Sequence, residues 1–357
     1  MTMPPSAQWP PPPPQGPPPQ YWGTPHPPPK RGGKTKWVLG GLGILVVVVV
    51  TIVATLFATR KEPDRAQPDL SMPGHSSAAG SNFRSDDDRA AAAIVLEDPT
   101  CESWEHIANS FGQAANNGWD RRDPATPATA WTPDARNQYE AFGAATESAA
   151  DRSNELAKQT PHRVMRELYQ QFAAYGRAYA DSLSSYEQKD DHLIRVAISG
   201  SSALTAICRA LTYGSAGARS PLIADAAPSM TPPAATQSES PQLFLQSNIP
   251  ACSEWMPVVN QFEVDSSAWR SVDPNIAASQ MNLTQRSILT AIAPVMNAFA
   301  TNIQLIGRHS GDPLFIDFAT LSAQYLRAYA ASLVTYVPAD DYLQVAAGTI
   351  GGIITEA

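Results

Sequence analysis

The second half of the chain is written twice, and that duplication limits the fold more than any motif inside it. Residues 119–207 align with 269–357 at a constant offset of 150. The register is visible in WDRRDP from Trp119 against WRSVDP from Trp269, and in YGRAYADSL from Tyr175 against YLRAYAASL from Tyr325. It continues through Tyr186, Asp190, Asp191 and Leu193, which face Tyr336, Asp340, Asp341 and Leu343. With one residue of slippage it extends upstream, where CESW from Cys101 faces CSEW from Cys252. Each copy is about 107 residues long, an ordinary single-domain size. A residue present in both diverged copies is explained more easily by the fold than by a single active site.

Residues 37–58, WVLGGLGILVVVVVTIVATLFA, contain no charge, and this length spans a bilayer core at the helical rise. Lys30, Arg31, Lys34 and Lys36 precede the run, and no acid occurs before it. Positive charge stays on the cytoplasmic side, which puts the N-terminus inside and residues from about 59 onward outside. A cleaved signal peptide is the competing reading, but the leader and the apolar run are both longer than such a peptide uses. Residues 1–30 hold fourteen prolines, with Trp9, Tyr21 and Trp22 among them. That composition favours polyproline II and a solvated tail, with a ligand for an SH3- or WW-type groove as the alternative. Residues 59–92 read as a flexible stalk.

Removing the +4 of residues 1–58 from the chain's −8 leaves −12 on the remainder. An acidic exterior argues against nucleic acid as a partner and against docking on anionic lipid through a basic face.

Within each copy the apolar period is helical. Helix A begins near Pro99 or Pro250, with Thr100 a candidate cap in the first copy. The loops 119–124 and 269–274 follow, and helix B opens with Thr132 as N-cap and Pro133 in the first turn. Helix C opens with Thr160 then Pro161, or with Asp312 then Pro313; helix D runs over 191–211 and from 341 to the end. On helix C, Tyr175, Tyr179 and Tyr186 share one face, as do Tyr325, Tyr329 and Tyr336. They read as a core stripe with hydroxyls at its rim, with an aromatic ligand face as the alternative. Asp190–Asp191 and Asp340–Asp341 read as helix caps, and Arg177 and Arg327 as partners of an acid or as surface side chains.

Four helices connected up and down bring the start of A and the end of D to one end of the bundle. Cys101 and Cys208 are therefore expected to form a disulfide in an oxidising compartment. The counterpart of Cys208 would be position 358, so Cys252 is expected as a free thiol; a swapped bond between Cys208 and Cys252 is the alternative.

The six histidines show no metal spacing, and neither a nucleophile elbow, a Walker loop nor a dinucleotide fingerprint occurs. His192 beside Asp190 and Asp191 is the one local acid–histidine cluster. No metal, cofactor or catalytic residue is assigned.

The tail PPPPPQGPPPQYWGTPHPPPKRGGKTKW and the span after it resemble the proline-rich single-pass membrane proteins of mycobacteria and related actinobacteria. The resemblance covers about a sixth of the chain, implies a cell-envelope setting and transfers no site.

These readings give an all-α protein: one transmembrane helix plus two tandem homologous four-helix modules outside the membrane. The divisions are a cytosolic tail (1–36), a span (37–58), a stalk (59–92), module one (93–212), a flexible linker (213–247) and module two (248–357). The expected role is a non-enzymatic envelope binding or scaffold protein, with two copies engaging a partner bivalently. A transducer acting through a cytosolic partner of the tail and an envelope hydrolase are the alternatives.

Overall fold

A computed structural model describes residues 90–227, 242–245 and 249–357. The tail, the span, most of the stalk and the middle of the linker lie outside the described residues. Among the described residues the fold is all-α, with ten helices.

In the first repeat these are α1 (Cys101–Asn116), α2 (Pro133–Ala157), α3 (Arg163–Ser182) and α4 (Asp191–Thr212), followed by the short α5 (Ser215–Arg219). The second repeat contributes α6 (Pro250–Asp265), α7 (Ser267–Arg270), α8 (Leu283–Ser310), α9 (Pro313–Ser332) and α10 (Asp341–Glu356). On α1 the buried residues Trp104, Ile107 and Phe111 recur at helical spacing and form one stripe. Each contributes roughly 1.5–3 kcal/mol by leaving water.

Local sequence sets several of the helix starts. Thr132 Oγ1 accepts from Ala135 N at 3.2 Å with Pro133 next to it, and Asp312 accepts from Phe315 N at 2.9 Å. Such caps contribute about 1 kcal/mol each. At α8, Asn282 and Gln285 form a reciprocal capping box, at 2.9 and 3.0 Å. Helix α3 begins two residues beyond Pro161, because the Thr160 hydroxyl accepts from His162 N at 3.1 Å and draws out the entry turn. Thr100 makes no side-chain cap; its hydroxyl lies 2.8 Å from Tyr169 Oη.

The same hydrogen bonds are built in both repeats. Trp119 Nε1 donates to Tyr179 Oη at 2.8 Å, and Trp269 Nε1 donates to Tyr329 Oη at 3.1 Å. Trp104 reaches Thr205 at 3.1 Å, and Trp255 reaches Thr355 at 3.0 Å. The Tyr186 and Tyr336 hydroxyls donate to the carbonyls of Pro124 and Pro274. The repeated letters of the sequence are thus largely the polar fittings of one core.

The two repeats do not stand apart. Residues Asn82–Ala357 form one compact unit, and its most extensive helix pair is α4 against α10, one from each repeat. A Cβ built on Gly352 would come within 3.1 Å of Ser199 Oγ, tighter than ordinary contact, so the two helices approach closely there. The segments leading into the repeats are exchanged. Val95 N donates to Tyr325 Oη on α9 at 3.2 Å. Reciprocally, Phe244 N donates to Gln171 Oε1 on α3 at 2.9 Å, and the Tyr175 hydroxyl donates to Phe244 O.

The edges of the linker and the stalk belong to this unit. Ala92, Val95 and Phe244 are buried, and Arg219 of α5 holds Asp340 at 2.7 Å. The two repeats therefore form one paired body.

Candidate functional site

The six helix-C tyrosines do not form an open face. Tyr175, Tyr179, Tyr186, Tyr325, Tyr329 and Tyr336 are all at most 3% exposed. Burial pushes every one of their phenols well above the ordinary value of 10.0. The ligand-face reading is corrected: four hydroxyls hold Trp119, Trp269, Pro124 and Pro274 of their own repeat, and the other two hold the exchanged leaders.

The structure brings Cys101 and Cys208 together, with Cα atoms 5.3 Å apart and sulfurs at bonding distance. Cys252 forms no disulfide and is half-buried. It lines a cleft of about 290 Å³ with Trp255, Met256, Ile354 and Thr355.

The aspartate pairs act differently from simple helix caps. Asp190 and Asp340 accept from the backbone amides of Glu187 and Val337, at 2.8 and 3.0 Å, and close the turn that precedes α4 or α10. Asp191 faces inward, where Arg122 holds it at 2.5 Å and Tyr186 donates to it at 3.3 Å. The Arg122 guanidinium also lies 3.4 Å from the centre of the Trp119 ring. Nothing equivalent can form in the second repeat, where Val272 stands at Arg122's place; desolvation raises the Asp341 carboxyl instead. His192 Nδ1 lies 2.6 Å from Lys189 O, at the surface.

Two charge contacts, one half-exposed and one buried, went unread in the sequence. Arg195 crosses the repeat boundary to Glu356 at 2.8 Å. Arg163 bridges Glu167, at 3.1 Å, and Asp317, and also donates to Ala90 O. Arg163, Glu167 and Asp317 are each 2% exposed. Burial, with Asp317 close by, raises the Glu167 carboxyl well above its ordinary range despite Arg163.

The second repeat also has a groove of about 570 Å³ between the first turns of α8 and the end of α9. Leu289, Leu333 and Tyr336 line it, and Val334 and Val337 stand on its rim. In the first repeat, Tyr139 occupies Leu289's place and stacks on Trp131 at 3.9 Å.

Residues 83–357 match the model of the mycobacterial ESX-1 associated protein family. The chain belongs to that family. An uncharacterised protein of Mycolicibacterium smegmatis (strain MKD8) is 43% identical over 319 residues, covering 89% of this chain and 84% of the relative. No solved structure matches the chain. The ESX-1 associated family supplies a secretion-system context and no site residues. Two described helices are long and apolar enough to cross a membrane by length and composition, Gln188–Thr212 and Leu283–Ser310.

Proposed function

We propose that this ESX-1 associated protein is a membrane-anchored binding or scaffold protein of the mycobacterial envelope, working in the setting of that secretion system by binding rather than catalysis. On this reading, residues 37–58 anchor it with the N-terminus inside, and the paired helical body lies outside the cytoplasmic membrane. The observation that carries the reading is a coincidence of boundaries: the family match, 83–357, is also the compact unit Asn82–Ala357. What the family shares is thus the paired body as a whole. The juxtaposition of Cys101 and Cys208 supports an oxidising exterior.

The test is made in intact mycobacterial cells. A membrane-impermeant protease should remove the paired body and spare a tag on residue 1, and deleting the gene should change which proteins the ESX-1 system exports. A protected paired body would overturn the topology, and an unchanged export profile would overturn the secretion role.

A further inference from the structure

The two repeats share a core, but their outer faces have diverged in one direction. Along α2 the exposed face carries Glu140, Glu147, Asp151, Arg152 and Glu155. The equivalent exposed residues of α8 are Thr290, Asn297, Thr301, Asn302 and Leu305, and no charged residue or histidine occurs over 287–307. The rim of the neighbouring groove has changed as well. Ser184 and Glu187 of the first repeat become Val334 and Val337, which are 86% and 44% exposed. The ring pair that fills the first repeat's surface, Trp131 on Tyr139, becomes Met281 and Leu289, and the space of about 570 Å³ is left open.

Three arginines stand around this face. Arg286 lines the groove, Arg308 is exposed at the far end of α8, and Arg327 of α9 lies between them in height. In the first repeat Arg177 holds Asp151 at 2.7 Å; its equivalent, Arg327, meets only the neutral Gln304, at 2.9 Å. Burial and the nearby Arg308 both work against the Arg327 charge. None of these three arginines forms an ion pair among the described residues, on a chain that is otherwise acidic.

We propose that this face of the second repeat docks an α-helix of a partner protein, which seats an aromatic or long aliphatic side chain between Leu289 and Val334 and sets a carboxylate against Arg308 and Arg327. It rests on the binding reading above and names the surface and the chemistry of its partner. The apolar groove takes the anchor, as in other helix-in-groove complexes, and the carboxylate matches the unpaired cations. From Leu289 to Arg308 is about 28 Å of helix, which sets the partner helix at about twenty residues. A lipid surface fits less well, because the exposed Asn297 and Asn302 amides would lose water and gain no partner in hydrocarbon. A second copy fits less well too, since a two-fold contact through this face places arginine near arginine.

The test uses the full chain in mycobacterial membranes, with a photo-crosslinking amino acid at Val334 or Thr301 and, as controls, at Ser184 or Asp151. The expected result is one protein adduct from Val334 and Thr301 and none from the controls, mapped by mass spectrometry to a helical segment with an apolar face and a carboxylate. Arg308→Glu should cut the adduct about tenfold, and a carboxylate-to-lysine change in the mapped helix should restore it. Val334→Asp should abolish the Thr301 adduct while thermal unfolding stays unchanged. Adducts only from the controls would overturn the assigned surface and leave the binding reading standing. Adducts to lipid or to the chain itself would overturn the partner class. No protein adduct from any of the four positions would overturn both readings.

Discussion

Glu167 and Asp317 hold equivalent positions in the two repeats, and they meet on a single guanidinium, that of Arg163. Two buried carboxylates against one cation cannot both ionise cheaply, and Glu167 is the one pushed up. A group whose folded pKa lies above its unfolded value stabilises the fold below the unfolded value, and that contribution fades as pH rises through the folded one. The melting temperature should therefore fall as pH rises above the ordinary glutamate value of 4.5, and Glu167→Gln should flatten that slope. Thermal unfolding across that range checks it; an unaltered slope would refute the assignment. Arg163→Ala, which strands the carboxylates, should cost about 3–5 kcal/mol.

Joining Cys101 to Cys208 closes a loop with a sequence separation of 107. Reduction, or Cys101→Ser, should lower stability by about 2–4 kcal/mol, short of the entropic limit of about 4.7. Intact mass under non-reducing conditions, with thiol labelling, should find Cys252 alone modified. Three labelled thiols in protein taken from the envelope would contradict the oxidising location.

The exchanged leaders make each repeat depend on the other. Tyr325→Phe removes a hydroxyl that lies against Val95 in the second repeat's core and should cost about 1 kcal/mol. Deleting residues 90–98 should go further and speed hydrogen exchange along α9 more than along α2. Equal protection in both helices would show that the leader is dispensable.

Gly352 lets α10 lie close to Ser199 of α4. Gly352→Leu should overpack that contact and cost about 1–3 kcal/mol, read by chemical denaturation. An unchanged midpoint would mean that the two helices can part without loss.

The helices were legible because their signals are local: Thr132 before Pro133, Trp104 to Phe111 at helical spacing, and each repeat supporting the other. Their pairing was not. Val95 reaches a partner 230 residues away, and nothing in a short apolar run such as AAAIVL says which helix it lies along. The charge cluster was hidden by asymmetry, since Arg163 has Pro313 as its counterpart and Glu167 pairs with an aspartate. Asp191 looked like a cap because of its position; only the approach of Arg122, 69 residues earlier, gives it a different role. The groove is visible in sequence only by subtraction, as tyrosine in one copy and leucine in the other.

Exchange of the leaders also sets a clock on biogenesis. Val95 emerges from the ribosome 230 residues before Tyr325, which at about 5–20 residues per second is a wait of about 10–50 s. Over that interval the apolar run before α1 has only its first-repeat contacts, such as Ala90 O with Arg163, and the side that meets α9 stays uncovered. Anything that meets the nascent chain then, whether translocation machinery or chaperone, meets a half-built body with that apolar run exposed.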